Sequence, residues 1–405
     1  MTLVTGCSTS VAARRRFPGL NGVRAFGALL VLTTHVGFES GAALNSSLNG
    51  VLSRMDVGVA IFFVISGFLL FRPHADAWLM EGYRPPTGRY LWHRALRILP
   101  ALWIAIAGAA LFLERPDEPL EDYLRHATLT QIYSPGHAAQ GLTQMWSLAT
   151  EAAFYLLLPA LGWALTRMTP SVRHINAALG LLLLTPLAGA AWMAKTAALG
   201  SGMAAVWLPG YIGWFGLGMA LALWRTARAA RAEPSAVLDL AARHPGTVWG
   251  LAVALYLVAV SPVAGPYSLV PPTPGAAASK SIIYALLGAL VVLPTVAARS
   301  TDEDPPAVQR MGGRTATFFG DISYGIFCYH LIVLGVIEGL LDYEIFTGGF
   351  FLLYVPTLAA SVVAAAVSFY VVERPLMRWG RRNERAPVNG SELTRVRATA
   401  TSTKS

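Results

Sequence analysis

Residues 25–38 read AFGALLVLTTHVGF, and His35 is the only ionisable group in that run. So apolar a stretch reads as membrane helix, where an ionisable side chain is costly and marks function by default. The bland alternative is an imidazole that bonds a neighbouring helix or snorkels to the interface. Arg24 lies eleven residues before His35. Eleven steps of 100° close about three turns, so both side chains share one helix face, about 16 Å apart along the axis.

The same character continues outward from this run. Apolar residues make up 55% of the 405-residue chain and charged residues 13%, about half the charged share of soluble domains. The mean hydropathy is +0.51. The fold class is therefore all-α, a polytopic integral membrane protein of about ten helices. They are expected at roughly 21–38, 54–71, 97–113, 147–165, 175–197, 206–224, 247–263, 280–298, 318–341 and 350–372. The net charge is +9, but the basic residues recur between apolar segments instead of forming one patch, which argues against nucleic acid.

Those basic residues set the topology. Arg14, Arg15 and Arg16 precede the first helix, and Arg84, Arg89, Arg94 and Arg97 fall between the second and third. Arg167 and Arg173 follow the fourth, Arg225, Arg228, Arg231 and Arg243 the sixth, and Arg299, Arg310 and Arg314 the eighth. Arg374, Arg378, Arg381, Arg382 and Arg385 follow the tenth. The alternate loops carry few cations, among them Arg54, Arg115, Arg125 and Lys280. By the positive-inside rule both termini are cytoplasmic. The organisation expected is a cytoplasmic segment 1–17, a membrane domain 18–378 and a disordered cytoplasmic tail 379–405. Cys7 and Cys328 are too few for a disulfide framework. Val4–Cys7 looks like a lipoprotein cleavage box, but only three residues precede it, so the first helix is expected to act as an uncleaved signal.

Several polar groups sit inside these segments. His35 lies about 20 Å from the inner end of its helix, in the outer half of a ~30 Å hydrocarbon layer. A neutral imidazole there can take a proton from a hydroxyl. The fourth helix opens Trp146-Ser147-Leu148-Ala149-Thr150-Glu151. With Trp146 in the interface belt, Glu151 lies about a turn and a half inside; its bland reading is a carboxylate favouring the helix start. The ninth helix carries Asp321, a helix-start acid, and His330, about 18 Å beyond the start. His35, Glu151 and His330 are thus expected at one depth from three helices. Arg94 and Arg97, three apart, share a face that suits a polyphosphate, or else anchor the inner interface. Ser66 and Gly67, in FFVISGFL, read as small residues for close helix packing. In the 114–145 loop, the acidic cluster of Glu114, Asp117, Glu118, Glu121 and Asp122 reads as solvated. No metal-ligand spacing, phosphate-cradling glycine loop or nucleophile elbow is present.

Taken in order, six of these segments resemble the acyltransferase-3 family of bacterial membrane O-acyltransferases. They are Asn21-Gly22-Val23-Arg24-Ala25 through His35, FFVISGFL, the Arg94/Arg97 pair before Ile98-Leu99-Pro100, WSLATEAAFYLLLP, GDISYGIFCYH, and Glu373-Arg374-Pro375. The resemblance covers about residues 17–378 and implies a multi-pass enzyme of the bacterial cytoplasmic membrane. It implies transfer of an acyl group from acyl-CoA to a hydroxyl of a carbohydrate, glycolipid or glycosylated metabolite, with no bound cofactor. By carry-over, His35 is the base, Arg24 positions the donor, and Arg94 and Arg97 meet its phosphates. Glu151 is the second catalytic candidate, with His330, Ser66 and Asp321 as further site candidates. Two departures stand out: Ala60 where many members carry an acid, with Asp56 four residues upstream, and Ala152 and Ala153 after Glu151 where many carry a second acid and a glutamine. The variant resembles a subgroup that includes macrolide-acylating enzymes.

The rival readings are a secondary transporter using the buried His and Glu as a proton relay, and a non-catalytic membrane assembly protein. Arg24 is too far from His35 along a straight helix to stabilise an oxyanion there.

Overall fold

A computed structural model describes residues 17–80, 86–113, 119–134, 139–231, 235–267, 270–297 and 304–382. Each of the ten expected segments forms a helix. They are α1 (Gly19–Glu39), α2 (Val57–Leu79), α3 (Thr87–Phe112), α4 (Trp146–Thr166), α5 (Val172–Ala198), α6 (Leu208–Arg231), α7 (Pro245–Val260), α8 (Pro274–Ala297), α9 (Arg314–Leu340) and α10 (Phe350–Ser368). There is no β-strand among the described residues.

Eight of these helices are long and apolar enough to cross a membrane, all but α1 and α7. This is fewer than the ten expected. At 16 residues α7 is about 24 Å long, short of a ~30 Å layer. α1 is long enough, but Asn21, Arg24, Thr33, Thr34 and His35 dilute its apolar character. α3 begins ten residues before its expected start, at Thr87. An apolar window misses this polar first half, so Arg89, Arg94 and Arg97 are helical and not in a loop.

Glycines decide which helices meet. A Cβ on Gly67 would strike the Phe215 carbonyl, and one on Gly218 would strike the Val64 carbonyl. α2 and α6 therefore pack backbone to backbone, the close approach that small residues permit. Gly58 presses the Gly27 carbonyl in the same way, joining α2 to α1. Gly320 sits against Asn21, joining α9 to α1 on its other side. The core between α2, α4 and α6 is filled by stacked rings, with centroids 4.3 Å apart for Phe63–Phe215 and 4.1 Å for Phe154–Phe215. The outer surface of the bundle is apolar: Leu181 on α5 is 69% exposed and Phe351 on α10 is 74% exposed. Such surfaces suit lipid, which solvates them as well as a core would.

Two expectations about loops are corrected. The segment directly before α4 is buried. Ala139, Leu142 and Met145 are fully buried, and a 3-10 turn at Thr143–Met145 leads directly into α4. Gln144 Nε2 pins this turn to α9 through the Cys328 carbonyl at 3.1 Å and closes it on the Gly141 carbonyl at 3.2 Å. The acids do not act alike: Glu121 and Asp122 pair with Arg125 at 2.5 and 3.3 Å, while Glu114, Asp117 and Glu118 lie outside the described residues. Arg54, counted as a loop cation, is buried and donates to the carbonyls of Ala259 and Gly265. It is an internal tie, not a charge facing water. Cys7, Arg14–Arg16, Arg84, Arg115, Arg299 and the tail from residue 383 also lie outside the described residues.

Candidate active site

Two polar clusters lie along α1, one at Arg24 and one at His35. α2 runs antiparallel to α1 from the Gly58–Gly27 contact. Eight residues on, Ser66 is about 12 Å further toward the N-terminal end of α1, and it lines the same cavity as the Arg24 side chain. Arg24, Ser66, Arg94, Arg97, Glu151 and Tyr155 line one cavity of about 90 Å³. Ser66 donates a short hydrogen bond to Glu151, and Tyr155, one turn after Glu151 on α4, faces the same carboxylate. Arg24 has Arg94, Arg97 and Glu151 as charged neighbours. Three guanidiniums against one carboxylate give the cavity an excess of positive charge, and guanidinium geometry matches phosphate oxygens. The Nε of Arg94 is buried with no hydrogen-bond partner among the described residues, so a donor is left over for a ligand. Tyr324 donates to the Ile98 carbonyl at 2.9 Å, fixing α9 to α3 beside Arg97.

The second cluster is a histidine pair. His330 Nε2 lies 3.0 Å from His35 Nδ1. His330 Nδ1 faces the carbonyls of Ile326 and Phe327 at 3.1 and 2.9 Å. Carbonyls only accept, so His330 Nδ1 carries the hydrogen, and in the neutral ring Nε2 is an acceptor. His35 Nδ1 must then be the donor, and it shares its hydrogen with the Val31 carbonyl at 2.9 Å. In the neutral ring His35 Nε2 is therefore left with its lone pair. The partners fix the tautomers. His330 is fully buried and His35 is partly open, so the ring nitrogen able to accept a proton belongs to the accessible histidine.

The clusters meet at a wall of aromatic rings. Phe62 and Phe327 both line the arginine cavity, and their centroids are 6.3 Å apart. Phe327 also neighbours His330, centroid to centroid at 6.2 Å.

The structure thus brings His35 and His330 together, and separately gathers Arg24, Ser66, Arg94, Arg97 and Glu151. Glu151 does not share the depth of the histidines. The depth expected for it assumed Trp146 in the interface, whereas the buried turn before α4 starts that helix at the level of Cys328. Seven residues from Gln144 carry Glu151 about 10 Å further along, to Ser66 and Arg24. Trp146 is partly buried against Tyr211, with centroids 5.0 Å apart. Ser66 is a hydrogen-bond donor to that carboxylate as well as a small packing residue. Asp321 is half-buried on α9 and lines neither cluster. Gln144, Tyr155 and Phe327 escaped the sequence reading. Only the four-residue spacing of Glu151 and Tyr155 signalled any of them.

The acyltransferase-3 profile, an acyltransferase domain, matches residues 17–370. The chain belongs to the acyltransferase-3 family. Among curated members, the acyltransferase MdmB of Streptomyces mycarofaciens is 30% identical over 168 residues, 38% of this chain and 41% of its own length. The O-acetyltransferase OatA of Staphylococcus aureus is 30% identical over 162 residues, 36% of this chain and 24% of its own. YrhL of Bacillus subtilis is 28% identical over 164 residues, 36% and 23% respectively. The match thus spans between 23% and 41% of the length of these relatives. No solved structure matches it.

Proposed function

We propose that this protein is an O-acyltransferase of the bacterial cytoplasmic membrane, with both termini cytoplasmic. It moves an acyl group from acyl-CoA to a hydroxyl of a carbohydrate, glycolipid or glycosylated metabolite. The observation that carries this reading is the histidine pair, whose hydrogen bonds leave the accessible His35 Nε2 as a proton acceptor. Membership of an acyltransferase family supports the reaction class, and OatA's name, an O-acetyltransferase, supports oxygen as the acceptor atom.

His35 Nε2 takes the proton of the acceptor hydroxyl, and the oxygen attacks the thioester carbonyl. The tetrahedral intermediate collapses with cleavage of the carbon–sulfur bond, and the CoA thiolate recovers the proton from the imidazolium. His330 stabilises that imidazolium by accepting from Nδ1–H. Arg24, Arg94 and Arg97 hold the donor's phosphates at the cytoplasmic side, and Glu151 with Ser66 fixes the cavity. The pantetheine arm then passes Phe62 and Phe327 to reach His35.

Purified protein in detergent, given acetyl-CoA and a panel of sugars, glycolipids and glycosides, tests this. CoA release coupled to ester formation is expected. Uptake of an acceptor into proteoliposomes without ester formation would instead support a transporter.

A further inference from the structure

Glu373-Arg374-Pro375 takes no part in either cluster as described, yet Glu373 is buried to 2% exposure where α10 ends. The helix changes pitch there: residues Phe369–Glu373 form a π-turn, and an α-helix resumes over Arg374–Arg382. Pro375 explains the change, since it lacks the N–H that would bond the Val371 carbonyl and its ring crowds that carbonyl. The π-turn re-aims Glu373. Residues five apart stand about 140° apart round an α-helix, but a π-helix closes a turn on them. Ser368 accordingly donates to Glu373 Oε1 at 3.0 Å, and Ser368 is itself held at 2.6 Å by Tyr329 of α9. On its other side the turn packs against α3, where Arg97 is the charged neighbour of Glu373. One turn on, Met377 touches Arg97 Nη1 through its sulfur at 3.9 Å.

We propose that Glu373 is a positioning residue: the π-turn buries its carboxylate behind Arg97 so that this guanidinium stays aimed into the donor cavity. Three mutually repelling arginines otherwise share one carboxylate, Glu151. The proposal rests on the donor-site reading above.

The test is acyl-CoA kinetics on Glu373→Gln, Arg97→Ala and the double variant, in purified full-length protein. Glu373→Gln is expected to raise the acyl-CoA KM about three- to tenfold with kcat nearly unchanged. In the Arg97→Ala background the same change should do nothing further. Ser368→Ala removes the donor that fixes the carboxylate and should shift KM the same way by less, so it carries the test if Glu373→Gln does not fold. If Arg97→Ala raises KM but Glu373→Gln leaves it unchanged or lowers it, or if their effects add, the positioning role is overturned alone. If Arg97→Ala itself leaves KM unchanged, the donor-site reading falls and the proposal with it.

Discussion

Replacing His330 with Phe isolates the partner of the proposed base. The ring is fully buried, and Phe fills a similar space beside Phe327. The carbonyls of Ile326 and Phe327, which His330 Nδ1 faces, keep their places in the α9 ladder, so little folding energy is lost. What disappears is the acceptor 3.0 Å from His35 Nδ1. That bond matters most when His35 has taken a proton, because it is then charge-assisted. Hydrogen bonds to charged groups contribute about 1.5–3 kcal/mol. At about 1.4 kcal/mol per tenfold, kcat should fall about 10- to 150-fold. His35→Ala, which removes the base itself, should cost at least as much, about 10²–10⁴-fold. In the His35→Ala background His330→Phe should add almost nothing, because the two act as a unit. Stopped assays of CoA release on purified variants, with thermal unfolding in detergent as the control for folding, give all three numbers. A His330→Phe enzyme with normal kcat would refute the tautomer argument and, with it, the assignment of Nε2 as the acceptor.

Other expectations follow from the remaining geometry. Arg94→Ala with Arg97→Ala should raise the acyl-CoA KM by tenfold or more, on the order of one lost charge-assisted contact; an unchanged KM would make them interface anchors only. Gly67→Leu forces a side chain into the Phe215 backbone and should lower detergent stability by about 1–3 kcal/mol or prevent folding, seen as a lower melting temperature. A wild-type melting temperature would deny the close α2–α6 contact. Single cysteines at Thr347 and Arg378 test the orientation, with Thr347 labelled from outside the cell and Arg378 only after the cytoplasmic side is opened. The reverse pattern would invert the topology.

The helices were legible because each carries its own apolar run, and Arg94 and Arg97 were legible as a pair because three residues fix a face. The His35–His330 contact was only half legible. Rise per residue put both at one depth, but α9's place beside α1 depends on Gly320 meeting Asn21, which no single segment encodes. Glu151 misled for a related reason. Its depth was counted from Trp146, and the turn at Gln144 buries itself through a bond to Cys328, nearly two hundred residues away. Glu373 was hidden because an α-helical period aims it elsewhere, and only the π-turn made by Pro375 brings it inward. Local pattern carried the elements; long-range contacts carried the site.

The most direct test of acyl transfer by His35 compares a deletion strain complemented with wild-type or His35→Ala protein, at equal membrane abundance. Mass spectrometry of its glycans, lipids and secreted metabolites is the readout. The account predicts an acyl mass increment on one hydroxylated product that deletion removes, the wild type restores and His35→Ala does not. Restoration of that increment by His35→Ala would contradict it.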